Sequence, residues 1–259
     1  MKFQYASDLH LEFENNHYFL TQVNNLKPVT PYLILAGDID NIIHRQVTRD
    51  SYFEWLSKNW EQVYIIPGNH EWYMNEDVSQ AFDIDLEICP NVRYLNHQKV
   101  HIEGVDFYFT TLWSMVRHHM INHYIADFRS CKYVGERYTY KHHDELHQRA
   151  VKWLSTELNK EKTNPRVVVS HFVPCPQTDG YPKGSNSLIG PIIKRYFTAD
   201  LSVRIEGWDI DYWIYGHNHW DKDIDALGTK FRSNQLGYVF QMEHRGFDFA
   251  KTIEIPTQN

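Results

Sequence analysis

Two short stretches place potential metal ligands one residue apart: Asp8 and His10 in "DLH", and His217 and His219 in "GHNH". Carboxylate and imidazole suit divalent cations, but neither pair can complete a coordination sphere, so each needs partners from elsewhere in the chain. Further oxygen and nitrogen donors stand in "GDIDN" (Asp38, Asn41), in "GNHE" (Asn69, His70) and at His171 in "VVVSH". Any one of these stretches alone reads as an ordinary polar turn. What would distinguish them is convergence.

The elements that must bring them together are short apolar runs, each ending where a candidate ligand begins. Lys2–Ser7 precedes Asp8, "YLILAGD" ends at Asp38, "QVYIIPGNHE" carries Asn69 and His70, "RVVVSH" ends at His171, and "DYWIYGH" ends at His217. Four of the five are unbroken and rich in β-branched residues, as expected of strands covered on both faces. The first alternates. Helical spacing lies between them, with Phe53, Leu56 and Trp60 on one face of Ser51–Trp60, and Leu146, Ala150, Trp153, Leu154 and Leu158 in Asp144–Lys160. A hairpin is expected at Glu103-Gly104 and a closing strand in "DFAKTIEI".

Alternating strands and helices predict an α/β fold, in which ligands gather at the C-terminal ends of parallel strands. The one-residue spacing of each pair is expected to aim both side chains to the same side of an extended segment. Glycines at 37, 68 and 216 are expected to let the backbone turn sharply there. Trp113–His143 has no clean period and reads as an excursion, a cap or insertion over one end of the sheet within a single domain spanning 1–259. Gly180–Gly190 reads as a flexible loop.

Composition narrows the function classes. A net charge of −7 supplies no global field for nucleic acid or anionic membrane. Three cysteines without a CxxC spacing suit free thiols in a reducing cytoplasm, and no stretch has the length of a membrane span or the form of a secretion signal. The expected protein is cytoplasmic. Sixteen histidines are a surplus of the commonest metal ligand, although His118-His119 and His142-His143 fit surface positions.

Taken in order, "DLH", "GDIDN", "GNHE", "SH" and "GHNH" resemble the calcineurin-like metallophosphoesterases, whose pattern is DxH, GDxx(N/D), GNH(D/E), a lone His and GHxH. The resemblance implies a four-layer αββα sandwich of two mixed sheets with the site at the strand ends. It implies two divalent metals about 3.5–4 Å apart. Asp8, His10 and His219 would hold one; Asn69, His171 and His217 the other; Asp38 would bridge. Manganese is the foremost expectation, with iron, zinc, cobalt or nickel as alternatives. Two such cations would clamp phosphate oxygens and lower the pKa of a water from about 15.7 to about 7, making a nucleophile at neutral pH.

His70 would be a non-ligand histidine stabilising the transition state or protonating the leaving group. Asn41 stands where some relatives carry the aspartate that pairs with this histidine. Its amide orients an imidazole but does not stabilise imidazolium, which leaves that task to Asp40 or Glu71. Tyr73, Trp72, Trp113, Arg117, His118, Arg129 and Trp220 are candidate contacts for the leaving group.

Absences select the subclass. The arginines that clamp monoesters in the related protein phosphatases have no counterpart in "GDIDNII" or "IPGNHE", and the tyrosine ligand of purple acid phosphatases is missing. The expected substrate is a small phosphodiester or phosphomonoester, with a nucleotide as one form. A nuclease of the same superfamily and a non-catalytic metal-binding scaffold are the alternatives.

Overall fold

The computed structural model describes residues 1–41, 47–180 and 189–256. In chain order the main strands are β1 (Lys2–Ala6), β2 (Tyr32–Leu35), β3 (Gln62–Ile65), β4 (Asp85–Cys89), β5 (Val92–Leu95), β6 (Gln98–Ile102), β7 (Val105–Thr110), β8 (Arg166–Ser170), β9 (Tyr212–Tyr215), β10 (Ile224–Ala226), β11 (Thr229–Ser233) and β12 (Thr252–Glu254). The longer helices are α1 (Val47–Asn59), α2 (Tyr140–Leu158), α3 (Gly190–Phe197) and α4 (Ser202–Trp208).

Two six-stranded mixed sheets form, in the orders β12-β1-β2-β3-β5-β4 and β10-β11-β9-β8-β7-β6. In each, four parallel strands sit at the centre and antiparallel strands occupy both edges. Successive strand residues face opposite cores. On β2, Ile34 packs between the sheets with Phe107, Val167 and Ile214, while Leu33 and Leu35 pack outward under Phe53, Leu56 and Trp60. On the far side, Tyr108, Val168 and Trp213 pack beneath Leu146, Leu154 and Trp208. The result is the αββα sandwich. β1 does not alternate as its sequence suggests, since Phe3 to Ala6 are all buried between two apolar layers.

The hairpin turns at Glu103 (φ 45°) and Gly104 (φ 80°), the two left-handed positions that a tight hairpin needs. The closing strand pairs Thr252 to Glu254 against Lys2 to Gln4. The excursion holds short helices at Ile121–Tyr124 and Asp127–Ser130 and a small sheet made with Glu76–Asp77; its last residues already belong to α2. Most of the expected flexible loop, residues 181–188, lies outside the described residues. Among the described residues, no helix is long and apolar enough to cross a membrane.

Candidate metal centre

Every central parallel strand but β5, β7 and β11 runs into a candidate ligand at its C-terminal end, and the two sheets present these ends to one small volume. Asp8, His10, Asp38, His217 and His219 all have φ between 50° and 80°. Non-glycine residues rarely adopt this left-handed conformation, which costs of order 1–3 kcal/mol each and concentrates at functional sites. The ligand pairs are therefore not carried on extended segments: each pair leaves its strand in tight loops that turn both side chains inward. Gly37 has the same strained backbone (φ 88°), whereas Gly68 serves by its size, since a Cβ there would lie 2.2 Å from Asp38 Oδ1.

The donor atoms form two abutting groups around Asp38. In the first, His10 Nε2 and His219 Nε2 lie 3.0 Å apart, with Asp8 Oδ1 3.4 Å from the latter. In the second, His171 Nε2 lies 3.1 Å from Asn69 Oδ1 and 3.2 Å from His217 Nδ1. Asp38 Oδ2 stands between, 3.3 Å from His171 Nε2 and 3.9 Å from His10 Nε2.

The outer hydrogen bonds show which atoms face inward with lone pairs. His10 Nδ1–H donates to Glu12 (2.9 Å), His219 Nδ1–H to Glu243 (2.6 Å) and His171 Nδ1–H to the Ala36 carbonyl (3.0 Å). Each remaining ring nitrogen of the neutral imidazole is then an acceptor. Acceptors crowded at 3.0–3.3 Å repel unless a cation or a proton stands among them. Protons alone answer the need as follows: burial opposes charge on His171, but the Asp38 carboxylate lifts it to about 9. Burial likewise opposes charge on His219, which hydrogen bonds to Asp8 and Glu243 raise to about 10. The donor set fits divalent metals, which would displace those protons.

Residues 1–221 match the family model for calcineurin-like phosphoesterases. The chain belongs to that family. An uncharacterized protein of Acanthamoeba polyphaga mimivirus, L509, is 25% identical over 257 residues, covering 91% of this chain and 90% of its own. In structure, the phosphopantetheinyl hydrolase PptH of Mycobacterium tuberculosis superposes with a TM-score of 0.65 at 17% identity, over 95% of this chain and 92% of that one, which is a likeness of fold. Family and donor set together make this chain a metal-dependent phosphoesterase.

The phosphoesterase places His70 beside this cluster but pairs it differently from expectation. Its Nδ1–H donates to Glu12 Oε1 at 2.8 Å, so one carboxylate oxygen serves both His10 and His70. Asn41 is turned away and donates to the Tyr73 carbonyl at 2.7 Å. Neither proposed substitute reaches the ring: Asp40 Oδ1 accepts the Asn41 backbone N–H, and Glu71 accepts those of Asp38, Ile39 and Gly68. Two buried loops thus need Glu71 to satisfy their amides, and its carboxyl, raised by burial and by Asp38, is a brace between the second and third motifs.

Three partnerships escaped sequence reasoning. Glu12 was within reach, two residues beyond His10, where spacing alone flags it. Glu243 and Asp127 were not, for they stand 24 and 58 residues from the groups they hold. Asp127, from the excursion, accepts Asn69 Nδ2–H at 3.1 Å, Tyr73 O–H at 2.6 Å and Tyr196 O–H at 2.5 Å. That bond settles which end of the Asn69 amide faces the histidines.

A cleft of about 650 Å³ opens over the cluster, walled by Tyr73, Phe197, Trp220, Tyr238 and the 125–127 segment. Of the candidate leaving-group contacts, only Tyr73 and Trp220 line it. Trp72 and Trp113 are buried in the core, Arg117 and Arg129 line other cavities, and His118 stacks on His119. His143 is buried rather than on the surface, and Cys175 is packed in the core with its thiol near Thr178.

Proposed function

We propose that this phosphoesterase hydrolyses a small phosphodiester, with Asp8, His10, His219 and Asp38 holding one divalent cation and Asp38, Asn69, His171 and His217 the other. The carrying observation is the cleft: among the described residues no lysine or arginine lines it, while aromatic rings do. A phosphomonoester dianion would need a cationic clamp beyond the metals; a diester monoanion does not, and rings such as Trp220 and Tyr238 suit a flat or apolar ester group. Bound metals would supply an acidified water and neutralise phosphate oxygens.

The chain's own residues supply the rest. Glu12 and the stacked ring of Tyr73, 4.1 Å away between centroids, hold the His70 imidazole with Nε2 toward the cleft and Tyr238. From there it can give a proton to the departing ester oxygen, which is worth roughly 10²–10⁴-fold. Burial disfavours charge on His70, yet the Asp38 and Glu12 carboxylates raise its pKa, which suits a donor. The oxygen and nitrogen donor set, without thiolate, suits manganese, iron, zinc, cobalt or nickel, and manganese is the first to load.

The test is turnover of bis(p-nitrophenyl) phosphate against p-nitrophenyl phosphate by manganese-loaded protein, with elemental analysis. Two metals per chain and a higher kcat/KM on the diester are expected. Single-stranded DNA and a phosphopantetheinyl ester, the latter suggested by the name of the structural neighbour, extend the panel. A preference for the monoester would overturn the diester reading; no turnover of any ester would favour the scaffold.

A further inference from the structure

A separate cavity of about 920 Å³ lies elsewhere in the described structure. It lies between α2 and the 195–204 segment and is lined by Arg117, Lys152, Arg195 and Arg204, with Asp200 as its one carboxylate. The chain as a whole has 33 acidic and 26 basic residues, so four cations around one concavity run against its overall balance. Some surface cations elsewhere take carboxylate partners, as Arg93 does with Asp85, Lys162 with Asp209 and Arg232 with Asp225. Among the described residues, none of the four in this groove makes such a pair. Asp200 is engaged by the Ser202 hydroxyl.

A second observation comes from the lining. Thr198 Oγ1 is buried without a hydrogen-bond partner, and its residue is only 7% exposed. An orphaned hydroxyl costs of order 1–3 kcal/mol, so the chain leaves this wall of the groove incompletely satisfied. His147 meets the same field: burial holds its imidazole down to about 4, and the charges of Arg117 and Arg204 add to that. Its Nδ1 faces the carbonyls of Leu112 and Trp113, so it contributes no positive charge of its own.

We propose that this groove is a second binding site, for a small polyanion of the phosphate or sulfate ester class, distinct from the metal centre. Arg195 and Thr198 line the groove, whereas Tyr196 and Phe197 between them line the catalytic cleft. The two sites therefore share one short segment and no side chain. Cations gathered around one open groove, rather than drawn out in a stripe, suit a compact anion better than a continuous strand.

The probe is inositol hexasulfate, whose sulfate esters are not phosphoester substrates. Calorimetric titration of the full-length, metal-loaded protein at low salt is expected to show one site per chain. The double variant Arg195→Ala/Arg204→Ala should bind at least ten-fold more weakly, while its thermal midpoint and its basal diester turnover stay unchanged. Asp38→Asn should bind the probe as the parent does. Absence of binding at millimolar probe, equal binding by the double variant, or loss of binding in Asp38→Asn would each overturn the assignment.

Discussion

The Glu12 carboxylate accepts the Nδ1–H of His70 at 2.8 Å, across 58 residues of sequence. Burial would raise this carboxyl, but His10 and His70 together hold it down to about 2, so it is a fixed negative charge at every working pH. Glu12→Gln keeps an acceptor while removing that charge. The expected result is a fall of about 10–100-fold in kcat with KM little changed, plus a weaker hold on the metal at His10. Steady-state kinetics at saturating manganese separate the two effects; a change confined to KM would contradict the role.

Asp127 reaches the site through Asn69. Replacing it by Ala removes the acceptor altogether, so the Asn69 amide loses the bond that aims Oδ1 at His171. Asp127→Ala should weaken one of the two proposed metals by about 10–100-fold and spare the other. Metal content after dialysis against graded chelator reads this directly: a drop toward one ion per chain is expected, and retention of both at parent affinity would remove Asp127 from the account.

Gly68 leaves no room for a side chain. An added methyl would lie 2.2 Å from Asp38 Oδ1 and 2.8 Å from His171 Nε2, both on side chains of the candidate metal centre. Gly68→Ala is expected to lower turnover by more than about 100-fold, on the scale of a displaced reacting geometry. Far-ultraviolet circular dichroism should stay that of the parent, since the strands lie behind the loop.

Metal binding should also stabilise the fold, because the donor cluster exists only in the folded chain. At a metal concentration a hundred times Kd the gain is about 2.7 kcal/mol. For a chain of this size that corresponds to a rise of roughly 5–10 °C in Tm. Scanning calorimetry with and without EDTA measures it, and identical midpoints would argue against metal binding at this cluster.

Acid sensitivity is expected from two buried imidazoles outside the donor set. Burial lowers His143 from 6.5 to about 3 and His147 to about 4. Both stay neutral when folded and gain protons when unfolded, so their contribution is present above pH 6.5 and is lost as pH falls toward the folded values. Each should remove about 2 kcal/mol between pH 6.5 and pH 5. Urea unfolding at the two pH values tests the sum, and His143→Gln should flatten the dependence.

The convergence of the candidate ligands was legible because metal chemistry restricts residue type, and because each candidate follows an apolar run that reads as a buried strand. Asp8, Asp38, Asn69, His171 and His217 could be placed at strand ends from that local grammar, as could the α/β class, while the sandwich followed from the family resemblance. The loop geometry was not legible: nothing local announces that five non-glycine residues accept φ near 50–80°, since only the surrounding packing sustains that strain.

Sequence by itself determined which side chains are offered to the site and at the ends of which strands. Tertiary structure alone decided which carboxylate serves which imidazole: Glu12 rather than Asn41 for His70, Glu243 for His219, and Asp127 for the amide of Asn69. The reason is physical. Ligand type follows from chemistry and short-range spacing, whereas these hydrogen bonds join loops from different strand ends, and their partners depend on strand order and on how each strained turn aims its side chain.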